Sequence, residues 1–495
     1  MNTPNPMPDP ELTRNMMGGE PGVEPQLAGT KEEPPQQKRP VEPINFTVTP
    51  LELEAYLNQF VIGQRDAVSV LATKIATHYN RMRLETQHPE LPHIIGNIKP
   101  NVILIGPTGV GKTYIVRLVA DYIKVPFVKG DATKFSETGY VGGDVEDLVR
   151  ELVHVAGGDI AAAERGIIYI DEIDKIAAAS NTIGIDVSRT GVQRNLLKIM
   201  EETEVDMKVP HDIASQMEAV IELQRTGKAD RKKVNTRNIL FIVSGAFSHL
   251  DEMVRKRLRG GTIGFGKGSN EVTDGDAWAK HIASQDLITF GFETEFIGRL
   301  PVMVRLSPLG VEELFAILKS KNNAVVEGKR RDFLSYGIKL EFAEDALRVL
   351  AEQAAQEGTG ARGILAVMEK LLMPFEKRLP GKVTQLTVTR ELVLNPIATL
   401  QTLLEQAAIF QFQRDILAEF GLAFVLSESA QKWAHNHAAT ENVGVVTLLK
   451  ERLKNYPYGL KLLGLTAFEI TEEALENPQE YLDTKIKTTF AQQKG

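Results

Sequence analysis

Eight consecutive residues, Gly106-Pro107-Thr108-Gly109-Val110-Gly111-Lys112-Thr113, constrain this chain more than any other stretch. They match the Walker A pattern of a glycine-rich phosphate loop. They also stand where the pattern has physical meaning, after an apolar run at 102–105 and before a helical pattern at 113–123. Gly109 and Gly111 allow backbone N–H groups to close around phosphate oxygens, and the start of the helix adds positive potential. Lys112 has the reach for β- and γ-phosphates, and the Thr113 hydroxyl is a ligand for Mg²⁺.

A loop of this kind needs a parallel sheet behind it, and the flanking sequence supplies one. Short apolar runs at 102–105, 125–128, 167–170, 239–243 and 302–306 alternate with helical patterns at 65–83, 113–123, 145–155, 192–201 and 250–259. Apolar runs without polar alternation, separated by helices, describe an α/β fold whose parallel sheet is covered on both faces. The run at 167–170 ends in Asp171-Glu172. A buried strand ending in two carboxylates provides one for the metal, Asp171, and one to polarise an attacking water, Glu172. Cleavage of a γ-phosphate is the reaction these two elements describe.

Composition removes other classes. Cysteine is absent, which excludes disulfides, thiol catalysis and Cys-based zinc sites. The net charge of −8 argues against broad nucleic-acid binding, which needs a basic face. No apolar run approaches the length of a membrane span, and no signal peptide stands at the N-terminus, so the expected location is cytoplasmic. Residues 1–45 hold ten of the 24 prolines with almost no aliphatic pattern, and they read as a disordered tail.

Five further segments, in order, resemble the AAA+ ATPases of the Clp/Hsp100 family over about 51–396. The nearest branch is the one whose rings feed a ClpP-like peptidase. Phe60-Val61-Ile62-Gly63-Gln64 resembles the adenine-contacting box, and Gly139-Tyr140-Val141-Gly142 is similar to the substrate-gripping pore loop. Ser244 stands at the sensor 1 position, Arg299 within Glu-Phe-Ile-Gly-Arg-Leu-Pro matches the arginine finger, and Arg362 within Gly-Ala-Arg-Gly matches sensor 2. The resemblance implies ATP and Mg²⁺, a large nucleotide-binding domain at 46–306 and a mainly helical small domain at 307–396. It also implies a homo-oligomeric ring, by family a hexamer, that unfolds protein substrates and threads them through a central pore. Arg299 would act on nucleotide held by the neighbouring subunit, and Arg362 would couple nucleotide state to the angle between the domains.

The departures matter as well. The branch normally begins with a Cys₄ zinc module that this chain lacks, so no zinc is expected. The stretch 204–237 is too short for the inserted domain of related unfoldases, yet it holds a basic cluster of Arg225, Lys228, Arg231, Lys232 and Lys233. Residues 185–189 resemble a second pore loop only loosely. Ile263-Gly264-Phe265 among glycines resembles the loop that docks on ClpP, an apolar anchor on a flexible tether. A remodelling chaperone that works without a protease remains open at this stage, and a nucleic-acid motor is disfavoured by charge.

The small domain is read as three helices, at 311–326, 343–356 and 363–378, with a strand at 385–388. The sequence beyond it echoes it. Residues 337–346 align with 421–430 at an offset of 84, and after a slip of about two residues 387–396 meets 469–478. This reads as a second lid-like copy at 397–482, followed by a tail at 483–495, with a strand near 467–470 and Val446 where the first copy has Arg362.

Overall fold

The computed structural model describes residues 47–90, 98–136, 143–178, 187–207, 233–260, 281–321 and 323–493. The expected N-terminal tail (1–45), the pore-loop residues Gly139, Tyr140, Val141 and Gly142, the docking residues Ile263, Gly264 and Phe265, and the basic cluster apart from Lys233 lie outside the described residues. So does the second pore-loop segment before residue 187.

Two helices, α1 (Pro50–Leu57) and α2 (Arg65–Gln87), precede the sheet. A capping box starts α1: Thr49 accepts from the Glu52 N–H while the Glu52 carboxylate accepts from the Thr49 N–H, and Pro50 occupies the first turn. There follow β1 (Val102–Ile105), α3 (Lys112–Ile123), β2 (Phe127–Asp131), α4 (Asp147–Val155), α5 (Ile160–Ala163), β3 (Ile167–Asp171), α6 (Val187–Met200), β4 (Glu204–Asp206), β5 (Lys233–Asn235), β6 (Leu240–Gly245), α7 (Leu250–Gly260), α8 (Ser284–Phe290), α9 (Thr294–Gly298) and β7 (Val302–Arg305).

Among the described residues, five parallel strands form the main sheet in the order β2-β3-β6-β1-β7, while β4 and β5 make a separate antiparallel pair. Alternation along each strand divides the interior into two cores. Val102 and Leu104 of β1, with Tyr169 of β3 and Ile242 of β6, pack under α1, α2 and α3. Ile103 and Ile105, with Ile168, Ile170 and Phe241, pack under α4 and α6. The central strands bury every residue, which is why they read as unbroken apolar runs. The strand expected at 125–128 begins two residues later. Lys124 closes α3 in the left-handed region (φ 62°), and Pro126 has no N–H for a ladder, so pairing starts at Phe127.

The next unit contains α10 (Val311–Lys319), α11 (Ala324–Ser335), β8 (Lys339–Phe342), α12 (Glu344–Gln356), α13 (Ala361–Arg378), β9 (Gln385–Val388) and α14 (Arg390–Leu394). The single helix expected at 311–326 is in fact two. Ser320 is extended (ψ 133°), and the Asn323 side chain caps a new helix by accepting from the N–H groups of Val325 and Val326. The Lys-Leu-Glu-Phe run of β8 was not anticipated; it pairs in parallel with β9, Lys339 opposite Gln385.

A 25-residue helix, α15 (Pro396–Phe420), then leaves this unit. Its first turns carry Leu400, Leu403 and Leu404 into the core of that unit, whereas Ile409, Phe412 and Ile416 belong to the next core. The boundary expected between 396 and 397 therefore falls at the start of a helix that two cores share. The last unit continues with β10 (Ala423–Leu426), α16 (Glu428–Glu441), α17 (Val445–Arg452), α18 (Tyr456–Leu462), β11 (Ala467–Ile470), α19 (Glu472–Glu476) and α20 (Pro478–Gln493). Its strands pair in parallel, Ala423 opposite Ala467. No helix among the described residues is long and apolar enough to cross a membrane.

Candidate active site

The site lies at the carboxyl ends of the strands, where open α/β sheets bind ligands. Its centre is the loop from β1 to α3. Gly109 (φ 79°) and Gly111 (φ 99°) hold left-handed backbone, and Gly111 begins α3 without a side-chain cap. The first N–H groups of that helix therefore face the loop as an anion cradle. Lys112 Nζ lies back along the loop and donates to the carbonyls of Gly106 (2.6 Å) and Pro107 (2.9 Å). Burial pushes its amine below the ordinary lysine range, while the carboxylates of Asp171 and Asp174 pull the other way. Gly106 has a packing reason too: a Cβ there would stand 2.7 Å from the carbonyl of Leu306.

Asp171 ends β3 and is held by four groups. Ser244 Oγ donates to Oδ1 (2.7 Å), Tyr169 O–H to Oδ1 (3.3 Å), the Glu172 N–H to Oδ1 (3.2 Å), and Lys129 Nζ lies 2.9 Å from Oδ2. Burial alone would raise this carboxyl. The hydrogen bonds from Ser244 and Lys129, together with the charge of Lys129, outweigh burial and hold it below its usual value, so it is ionised at neutral pH. Thr113 Oγ1 lies 3.4 Å from Asp171 Oδ2 and 3.0 Å from the Tyr169 hydroxyl. An ionised carboxylate and a hydroxyl this close are the hard oxygen pair that Mg²⁺ takes from a protein when phosphates complete its shell. The residues fit the ion, and Thr113 and Asp171 would hold it.

Glu172 follows in the left-handed region (φ 58°), a costly place for a residue with a Cβ, and is exposed at the mouth of the site. The cavity over the loop measures about 660 Å³, and its lining includes Val61, Ile62, Thr108 through Thr113, Asp171, Glu172 and Arg362. It thus joins the α1–α2 connection, the carboxyl ends of the main sheet and the start of α13. The loop and α13 also touch directly: the Ala361 N–H donates to the Gly109 carbonyl at 2.9 Å, and Gly360 (φ 59°) packs so closely that a Cβ would stand 2.8 Å from the same oxygen.

Not every expected residue meets there. Ser244 is fully buried, donates to Asp171, and is not among the described residues that line the cavity. Arg299 caps α9 and is not among the described residues that line the cavity. It borders a polar cavity of about 330 Å³ with Lys99 and Glu201. Sequence reasoning missed Tyr169, Lys129 and Asp174. Tyr169 was legible only as an oddity, a phenol within a buried aliphatic strand, and Lys129 and Asp174 follow no spacing rule. Of the C-terminal histidines, His435 pairs with Glu405 at 3.0 Å and His437 stacks on Trp433 at 3.9 Å.

Comparison with known proteins agrees with this geometry. The model of the AAA domain (Cdc48 subfamily) matches residues 98–303. The ATP-dependent Clp protease ATP-binding subunit ClpX of Borrelia duttonii (strain Ly) is 39% identical over 351 residues, covering 70% of this chain and 79% of the relative. The ClpX subunit of Treponema denticola is 38% identical over 361 residues, covering 72% and 82%. The cradle, the ionised Asp171 and these relatives lead to one conclusion: the chain belongs to the ClpX family of AAA+ ATPases.

Proposed function

We propose that this ATPase works as a homo-oligomeric ring, six subunits by family resemblance, that unfolds protein substrates and threads them through a central pore into a ClpP-like peptidase. The observation that carries the ring is the separation of the two arginines. Arg362 lines the cavity of its own subunit, whereas Arg299 stands outside it. An arginine finger that cannot serve its own nucleotide must serve a neighbour's.

In this reading Lys112 and the α3 N-terminus bind the phosphates, and Thr113 and Asp171 would hold Mg²⁺, which would supply positive charge beside the phosphates. Glu172 orients and deprotonates the water, and Arg299 arrives from the adjacent subunit. Tyr140 and Val141 between Gly139 and Gly142 grip the substrate, and Ile263, Gly264 and Phe265 dock on the peptidase. The setting is the cytoplasm. We also propose that 397–482 is a second lid-like copy without a nucleotide role, a reading supported by its strand–helix–helix start and strand–short-helix end, with α17 and α18 where the first unit has the one helix α13, and by Val446 at the position of Arg362.

Glu172→Gln is expected to lower hydrolysis by about 10²-fold or more while leaving ATP binding intact. Arg299→Ala should be similarly slow on its own, yet mixing it with Glu172→Gln subunits should restore turnover at interfaces where an intact site meets an intact finger. Absence of any recovery on mixing would refute action across the subunit boundary. ATP-stimulated degradation of a folded substrate with a ClpP-type peptidase tests the partner, and unfolding without degradation would favour the protease-independent chaperone.

A further inference from the structure

Arg299 is anchored at both ends by residues that no catalytic motif contains. Its backbone carbonyl accepts a hydrogen bond from Asn101 Nδ2 at 3.1 Å, and its guanidinium Nη2 lies 2.6 Å from Glu201 Oε1. Asn101 is buried, its Oδ1 accepts from the N–H of Phe241 in β6 at 3.2 Å, and its carbonyl accepts from the Val302 N–H at 3.3 Å. The main chain of Arg299 is therefore fixed to the same strands that carry the phosphate loop. What remains to be ordered is a long side chain with several rotatable bonds.

Glu201 is well placed to order it. It follows directly on α6, and its own main chain is pinned: its carbonyl accepts from Thr236 Oγ1 at 2.7 Å and from Lys99 Nζ at 3.4 Å. Lys99 also donates to the carbonyls of Thr236 (2.8 Å) and Ile239 (3.4 Å), and it sits 4.8 Å from the centre of the Phe241 ring. Burial is the main reason its amine is pushed down to about 7. The carboxylate of Glu201 thus extends from a rigid base. Stability does not account for the pair, because the two side chains are 42% and 41% exposed and ion pairs at such sites contribute little. One nitrogen of the guanidinium is engaged by Glu201, and the fork has further N–H donors for a phosphate.

We propose that Glu201 is a positioning residue for Arg299. It holds the guanidinium in one orientation at the subunit surface, so that the site of the neighbouring subunit is completed without first ordering a free side chain. This rests on the reading of Arg299 as a finger acting across the ring.

The test compares Glu201→Ala, Glu201→Gln, Arg299→Ala and the Glu201→Ala/Arg299→Ala double variant. It uses steady-state ATPase kinetics together with direct binding of a fluorescent ATP analogue. Glu201→Ala is expected to lower kcat by about five- to tenfold with nucleotide affinity unchanged, and Glu201→Gln, which keeps an acceptor oxygen, should recover part of the loss. The double variant should be no slower than Arg299→Ala, since Glu201 acts only through that residue. In mixed rings, Glu201→Ala subunits should regain rate beside Glu172→Gln subunits, whose fingers are intact. A Glu201→Ala ring as fast as the parent, or a double variant slowed further by the whole factor of the single change, would overturn the assignment. If Arg299→Ala itself hydrolyses ATP at the parent rate, it is the finger reading that fails. If Arg299→Ala is inactive and Glu201→Ala is not slowed, the finger stands and the positioning role falls.

Discussion

In the unit that follows the sheet, Arg362 stands second in α13 and lines the nucleotide cavity; in the C-terminal unit, Val446 stands second in α17 and packs against its own core. The surroundings are alike. Each helix follows a strand, a helix and a short turn, and each unit ends with a strand, a five-residue helix and an Asn-Pro pair in matching backbone geometry (Asn395 φ −128°, ψ 60°; Asn477 φ −125°, ψ 67°). The preceding glycines differ sharply. Gly360 sits at φ 59°, against the phosphate loop, whereas Gly444 sits at φ −72°, and a Cβ there would meet only the Thr447 hydroxyl at 3.5 Å. A similar framework thus carries an arginine that lines the cavity in one place and an ordinary core residue in the other. What separates them is contact with the β1–α3 loop.

The largest effect that could break this comparison is on catalysis. Arg362→Ala should reduce ATP turnover by about 10²-fold, whereas Val446→Ala should leave turnover unchanged and cost about 1 kcal/mol of stability in its unit. Comparable loss of ATPase activity in both variants would mean that the C-terminal unit reads nucleotide after all.

Truncation sharpens the boundary. A chain ending after residue 396 loses Leu400, which is 3% exposed, so the first unit should be destabilised by about 2–4 kcal/mol in thermal unfolding. A chain ending after residue 407 keeps Leu400, Leu403 and Leu404 and should melt like the parent's first unit. Equal melting of the two truncations would show that α15 is not shared.

The two glycines give a smaller contrast. Gly360→Ala places a Cβ against the Gly109 carbonyl in left-handed backbone and should cost about 1–3 kcal/mol, with slowed hydrolysis. Gly444→Ala should stay within about 0.5 kcal/mol of the parent by urea unfolding.

The smallest effect concerns charge. Lys329 lies buried between α11 and α13, 2.7 Å from Glu369 and 3.2 Å from Asp332, while Gln413 and Leu453 stand at the offset positions of Lys329 and Glu369 in the C-terminal unit. Burial alone would lower its amine, but the hydrogen bonds it donates to Glu369 and Asp332 and the nearby charge of Glu376 outweigh that and raise it. The folded amine therefore keeps its proton at higher pH than the unfolded one. The contribution is full below the ordinary lysine value of about 10.4 and is lost as pH rises through the folded value. Lys329→Met should flatten the alkaline limb of stability against pH, and Gln413→Met should leave it unchanged.

Much of the fold was legible because its signals are local. The β1 run, the loop glycines, the Asp171-Glu172 ending and the strand at 385–388 stand where periodicity and turn chemistry put them, and the strand at 467–470 stands where the register of the repeat puts it. The break at Ser320 was signalled locally, by the polar run at 319–323 and the capping residue Asn323, but the apolar spacing on either side was read across it. Strand β8, no shorter than β9, carries two charged residues in four, which mask it between the neighbouring helices.

The sequence by itself determined which groups this protein has for chemistry: a phosphate loop, two carboxylates at a strand end, and arginines in the order of a known machine. Only the tertiary structure decided where those groups meet. Asn101 and Arg299, 198 residues apart, share a hydrogen bond, Ser244 of β6 and Lys129 of β2 close on Asp171 from the strands on either side, and Arg362 lines the cavity that Arg299 stands outside. Periodicity and turn preferences act over a few residues, whereas these contacts depend on strand order and on how the two domains pack, which no short stretch of the chain encodes.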